Sequence, residues 1–119
     1  MNIVKMDEVP NEPIVSPLFT SSNVTRQLLA SGSQDYNLSI VNFGKGVRNK
    51  FHTHDSDQVL FVTKGNGIVA TEYEQQVVEV GMIILIPAGE KHWHGATDDV
   101  LFSHITLTRM GSTTTQIEE

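Results

Sequence analysis

Apolar and polar positions alternate along most of this chain with a period near two, the spacing of strands rather than of helices. Tyr36-Asn37-Leu38-Ser39-Ile40-Val41-Asn42-Phe43 is rich in strand formers and stops at Gly44 and Gly46. Gln58 to Thr63 predicts a second strand. Gly65-Asn66-Gly67 then reads as a hairpin turn, because these residues tolerate positive φ, with Ile68 to Tyr73 as the returning strand. Glu74-Gln75-Gln76 predicts another polar turn, and Val77 to Val80 leads to Gly81. The apolar run Met82 to Ile86 ends at Pro87, and Val100 to Thr108 predicts the last clear strand.

No stretch carries a convincing helical period. Many short strands with glycine turns predict an all-β sandwich or barrel. Residues 1–17 hold Pro10, Pro13 and Pro17 and read as an extended arm. Residues 18–111 form the expected barrel domain, and 112–119 a polar, frayed C-terminal tail. Leu60, Val62, Ile84 and Ile86 are the candidate core. Glu72, Glu74 and Glu79 read as a solvated face.

At 119 residues one domain is expected. There is no cysteine, which removes disulfides, thiol nucleophiles and thiolate zinc cages. A formal net charge of -6 lacks the positive field that nucleic-acid binding needs. No apolar run approaches the ~20 residues of a membrane span. Asp7 and Glu8 stand where a signal peptide would be apolar. The expectation is a cytoplasmic protein with a small-molecule substrate and neither nucleic-acid nor membrane partners.

All five histidines fall between residues 52 and 104: His52-Thr53-His54, His92-Trp93-His94 and His104. Residues i and i+2 of a strand share a face, about 6–7 Å apart, and neutral imidazole is the commonest protein metal ligand. Two such pairs from distant stretches suit one metal cage. Gln58 has the parity of His52 and His54, so its amide oxygen is a further candidate ligand; the alternative is a surface glutamine beside a metal that uses water. His94 shares the parity of His92 and reads either as a pocket-facing general base or as a structural hydrogen-bonding group. Alternation puts His104 on the face of Phe102 and Thr106. Trp93 alternates with the two histidines and reads as outer-face packing.

The spacing resembles the cupin family. Its first motif corresponds to Gly46, His52-x-His54, Gln58 and Gly65, its second to Gly81, Pro87-x-Gly89 and His92, in the family's order. The resemblance implies a cupin (double-stranded β-helix, or jelly-roll) barrel with one divalent metal in its mouth, held by His52, His54, Gln58 and His92. It also implies a homodimer, in which N-terminal strands pair across subunits. Two positions depart from the pattern: Gln58 replaces the usual glutamate, and Ala96 stands where an asparagine is common. A glutamine ligand donates a dipole and no charge. The ion then keeps more positive charge as a Lewis acid, binds less tightly and cycles less readily to a higher oxidation state.

Residues 90–96 with His52, His54 and Gln58 are similar to a branch of small single-domain cupins that includes manganese-dependent hydroxynitrile lyases. That likeness implies a carbon–carbon lyase in which the metal holds the substrate oxygen and His94 or His104 moves the proton. It favours Mn; the ligand types also admit Fe, Ni or Zn. Two alternatives are an Fe(II)-dependent dioxygenase and a non-catalytic small-molecule binding module.

Overall fold

The alternating pattern folds into strands almost throughout. The computed structural model describes residues 1–119. A single 3-10 turn, Met6–Glu8, precedes ten strands: β1 (Glu12–Pro13), β2 (Val24–Leu28), β3 (Tyr36–Phe43), β4 (His52–His54), β5 (Gln58–Thr71), β6 (Gln75–Glu79), β7 (Ile83–Ile86), β8 (His92–Ala96), β9 (Phe102–Arg109) and β10 (Thr114–Gln116). All pairings are antiparallel. One sheet runs β1-β2-β3-β9-β5-β7 and the other β6-β5-β8-β4-β10, so β5 belongs to both. The result is the expected all-β jelly-roll barrel.

The Gly65-Asn66-Gly67 hairpin is not formed. β5 continues through these residues for 14 positions and crosses from one sheet to the other. Its first half pairs with β7 and β9, its second with β6 and β8. The bend is made by a register shift between Val62 and Lys64 and by Gly65 at φ +67°. A side chain on Gly65 would strike the Leu101 carbonyl, and a Cβ on Gly67 would lie 2.6 Å from the Phe102 ring. The glycines therefore serve close approach and bending rather than chain reversal. Reversal comes later, around Tyr73, and Gln75 and Gln76 already belong to β6.

The tail also differs from expectation. β10 pairs with β4, placing Thr114 opposite His54 and Gln116 opposite His52. Its side chains are exposed, so no apolar alternation betrays it. Polar clamps hold it instead. Asp55 accepts from the Thr113 N–H (2.8 Å), the Thr113 hydroxyl (2.9 Å) and the Ser112 hydroxyl (3.0 Å). Glu118 takes an ion pair from Arg48 at 2.8 Å and the Phe51 N–H at 2.9 Å. At the other end, the Gln27 amide donates to the Met6 and Val9 carbonyls and pins the arm against β2.

Inward residues of the two sheets meet in a core of Val24, Phe43, Leu60, Val62, Ile86 and Phe102 with their neighbours. Ile84 is only half-buried and packs against this cluster. Trp93 lies half-buried outside the barrel, with the Arg48 guanidinium 4.5 Å above its ring. The apolar core fills one part of the barrel and the histidines another.

Candidate metal centre

Adjacent strands of one sheet build the cluster. His52 on β4 lies directly opposite His92 on β8 in the antiparallel register, and His54 follows His52 two positions on, on the same face. One ligand atom from each of the three lies within 4.8 Å of the others. Ring centroids are 4.3 Å apart for His52–His92, 4.9 Å for His52–His54 and 5.3 Å for His54–His92. Gln58 opens β5 beside them. Its amide nitrogen donates to Thr106 Oγ1 at 2.9 Å, which turns Oε1 toward His92 Nε2 at 3.0 Å.

The other ring nitrogens show what the cluster is shaped for. His52 Nδ1 donates to the Lys50 carbonyl at 2.6 Å, and His92 Nδ1 to the Glu90 carbonyl at 2.8 Å. A carbonyl only accepts, so these neutral rings carry their proton on Nδ1 and a lone pair on Nε2. His54 Nδ1 meets Thr114 Oγ1 at 2.9 Å, and His54 Nε2 is buried with no partner. His92 Nε2 and Gln58 Oε1 are thus two lone-pair atoms facing each other across 3.0 Å. His52 and His92 thus present Nε2 lone pairs, His54 Nε2 is buried without a partner, and Gln58 Oε1 stands beside them, a donor set that a divalent cation would satisfy.

Electrostatics agree. Burial, reinforced by the neighbouring His92, pushes the His52 pKa down to about 3, and the same two causes take His54 to about 4. Burial also lowers His92. The three rings are neutral at pH 7, the form that binds metal.

His94 and His104 lie on the far side of the triad. His94 is 3% exposed and His104 fully buried. His104 Nε2 is 3.1 Å from His94 Nδ1, and His104 Nδ1 has no partner. His94 stacks 5.8 Å from His92 and sits 5.9 Å from His52, with Phe43 against both members of the pair. Asn49 fixes it, accepting the His94 N–H at 2.8 Å and reaching the ring at 3.3 Å. Burial lowers both pKa values, His94 further because of His104, and His104 to about 4.

A cavity of about 510 Å³ opens onto the cluster at His54 and Gln58, between Leu38, Thr106 and Thr114. Neither His94 nor His104 lines it. His94 and His104 therefore stand as an enclosed pair beside His52 and His92 and away from the cavity wall. Sequence reasoning missed three supports: Thr114, Thr106 and Asn49. Alternation already put Thr106 on the same face as His104; nothing in the polar tail pointed to Thr114. Thr114→Val should weaken metal binding about 10–100-fold, as loss of an outer-shell partner does. Calorimetric titration with Mn(II) checks this, with the melting temperature of the metal-free protein unchanged within a few degrees.

Comparison with known proteins follows the same lines. A family profile described as the cupin domain matches residues 39–106, more than half of the chain and both histidine motifs. The chain belongs to the cupin family. Among curated relatives, this cupin is 35% identical over 68 residues to an (R)-mandelonitrile lyase of Granulicella tundricola, covering 56% of this chain and 52% of the lyase. It is 38% identical over 56 residues to an acireductone dioxygenase of Parasynechococcus marenigrum, covering 41% of this chain and 30% of the dioxygenase. The chain thus spans about half the length of the first relative and less of the second. Among solved structures, a cupin-like protein of Thermotoga maritima superposes with a TM-score of 0.84 at 25% identity, over 100% of this chain and 90% of that one. The polyketide cyclase RemF of Streptomyces resistomycificus gives 0.88 at 17% identity over 100% and 87%, a likeness of fold alone. No helix in this cupin is long and apolar enough to cross a membrane.

Proposed function

We propose that this cupin is a metal-dependent lyase that cleaves a carbon–carbon bond beside a hydroxyl group, as in a cyanohydrin. The observation that carries the reading is the uncharged donor set: His52, His54 and His92 within 4.8 Å of one another, with Gln58 Oε1 beside His92 Nε2 and no carboxylate among them. A divalent ion held there, manganese in this reading with Fe, Ni or Zn as other occupants, supplies a strong Lewis acid for the substrate oxygen. The likeness to a mandelonitrile lyase, in the stretch that contains the motifs, supports the same chemistry.

The chain's own residues supply position and proton transfer. Lys50, Glu90 and Thr114 fix the ligand rings, and Thr106 fixes the Gln58 amide. The His94–His104 pair is neutral at pH 7 and takes the hydroxyl proton. As the C–C bond breaks, its electron pair leaves on the cyano carbon and a carbonyl forms. The protonated imidazole then returns its proton to cyanide. The pair does not line the cavity of the free protein, so this role requires side-chain movement that brings the substrate hydroxyl, directly or through one water, within hydrogen-bond reach of His94. His94→Ala and His104→Ala, metal-loaded, should each lose about 10²–10⁴-fold in mandelonitrile cleavage with metal content unchanged. Full activity in both variants would remove the pair from the mechanism.

A second reading has a specific observation behind it, the likeness to acireductone dioxygenases. The uncharged Gln58 weighs against it, because an anionic ligand supports higher oxidation states. Substrate-dependent oxygen uptake after anaerobic iron loading would favour this alternative.

A further inference from the structure

The cavity over the metal centre contains no acid. The chain has 14 Asp and Glu residues and a net charge of -6, yet none of the residues lining the cavity carries a carboxylate. The lining is otherwise hydroxyls, amides and apolar groups, with one fixed cation, Arg26. β2 puts Arg26 on the parity of the core residue Val24 and of Leu28; Arg26 and Leu28 are both exposed and both line the cavity, at its open side. Its one ion-pair contact is long: Nε lies 3.6 Å from Glu12 Oε2, with both side chains half-exposed. Such a pair contributes little, and the planar fork is left free to accept a second anion.

We infer that the substrate of this site carries a carboxylate, and that Arg26 at the cavity rim recognises it while the reacting hydroxyl is directed to the cluster at His54 and Gln58. The inference rests on the metal-dependent reading above. A cation and an uncharged donor set that leaves a divalent charge uncompensated make a well of positive potential inside an acidic protein. Such a well concentrates small anions and disfavours cations. The cavity, about 510 Å³, has room for a hydroxy acid with a substituent, and the surrounding hydroxyls supply neutral hydrogen bonds for the rest of it. Arg26 is here a specificity-determining residue and takes no part in bond breaking.

The test is calorimetric titration of the Mn-loaded full chain, its metal content verified, with lactate and with lactamide, an uncharged molecule of nearly equal size. Lactate should bind at least about tenfold more tightly, the worth of one charge-assisted fork. Arg26→Gln should lower lactate affinity by about the same factor and leave lactamide nearly unchanged, while Glu12→Gln should strengthen lactate binding by freeing the fork. Equal affinities in the native protein, or a lactate preference that survives Arg26→Gln, would overturn the inference. Metal-stripped protein separates the two failures. If stripped and loaded proteins titrate alike, the metal reading falls and the inference with it; if only the preference for lactate is missing, Arg26 alone is wrong.

Discussion

Metal-free protein is expected to unfold between pH 6.5 and pH 4, well above the range where carboxylate protonation destabilises an ordinary domain. The cause is the set of five buried or half-buried histidines. His52 falls to about 3, and His54 and His104 to about 4, chiefly through burial; His92 and His94 are lowered for the same reason. An unfolded histidine titrates near 6.5, so between that value and the folded ones the unfolded chain binds more protons. Stability is complete above pH 6.5 and is lost as pH falls toward 4. A displacement such as that of His104 is worth on the order of 3 kcal/mol once fully expressed. Two or three such groups consume a large part of the roughly 5–15 kcal/mol that holds a domain together. Circular dichroism melts of chelator-treated protein at stepped pH check this. A melting temperature flat from pH 7 to pH 4 would mean that the imidazoles are more solvated than the fold shows. His104→Leu, which removes a buried titrating group, should shift the transition toward lower pH.

Metal loading is expected to raise the melting temperature by roughly 10 °C when free Mn(II) stands at a hundred times its dissociation constant. Binding to the folded state alone contributes about 2.7 kcal/mol under that condition, and one kcal/mol moves a domain of this size by roughly 4 °C. The site exists only when β4 and β8 lie in register and β5 brings Gln58 alongside, so the unfolded chain offers no comparable affinity. His92→Ala should abolish the metal-dependent shift. Gln58→Leu should reduce it, since the three imidazoles remain but the fourth donor is gone. Gln58→Glu should enlarge it, because a carboxylate compensates the ion's charge. Differential scanning fluorimetry over a Mn(II) series distinguishes the three variants. An unchanged shift in His92→Ala would place the ion elsewhere.

Much of the centre was legible because strand parity is local. His52, His54 and Gln58 sit two and four positions apart in one short segment and His92 opens a second, and the glycines and Pro87 of the two motifs fix where those segments stop. β3, β7 and β9 were readable for the same reason. What failed depended on distant partners. Gly65-Asn66-Gly67 has the composition of a hairpin, but Leu101 and Phe102, at the start of β9, press against it and make it a bend in one long strand. β10 has no alternation, and its place beside β4 is set by Asp55 and by the Arg48–Glu118 pair. Thr114 consequently became visible as a support of His54 only in the folded chain. Parity put His94 on the face of His92 and His104 on that of Phe102 and Thr106; it carried no information about depth, and the fold buries both away from the cavity wall.

The central claim is that His52, His54, Gln58 and His92 form one metal site. Elemental mass spectrometry on untagged protein purified without chelator, beside His52→Ala prepared in parallel, tests it most directly. Near-stoichiometric Mn or Fe in the native protein, lost in His52→Ala, is the predicted result. Native protein that takes up no divalent metal even after reconstitution would contradict the account and leave the histidines as a structural cluster.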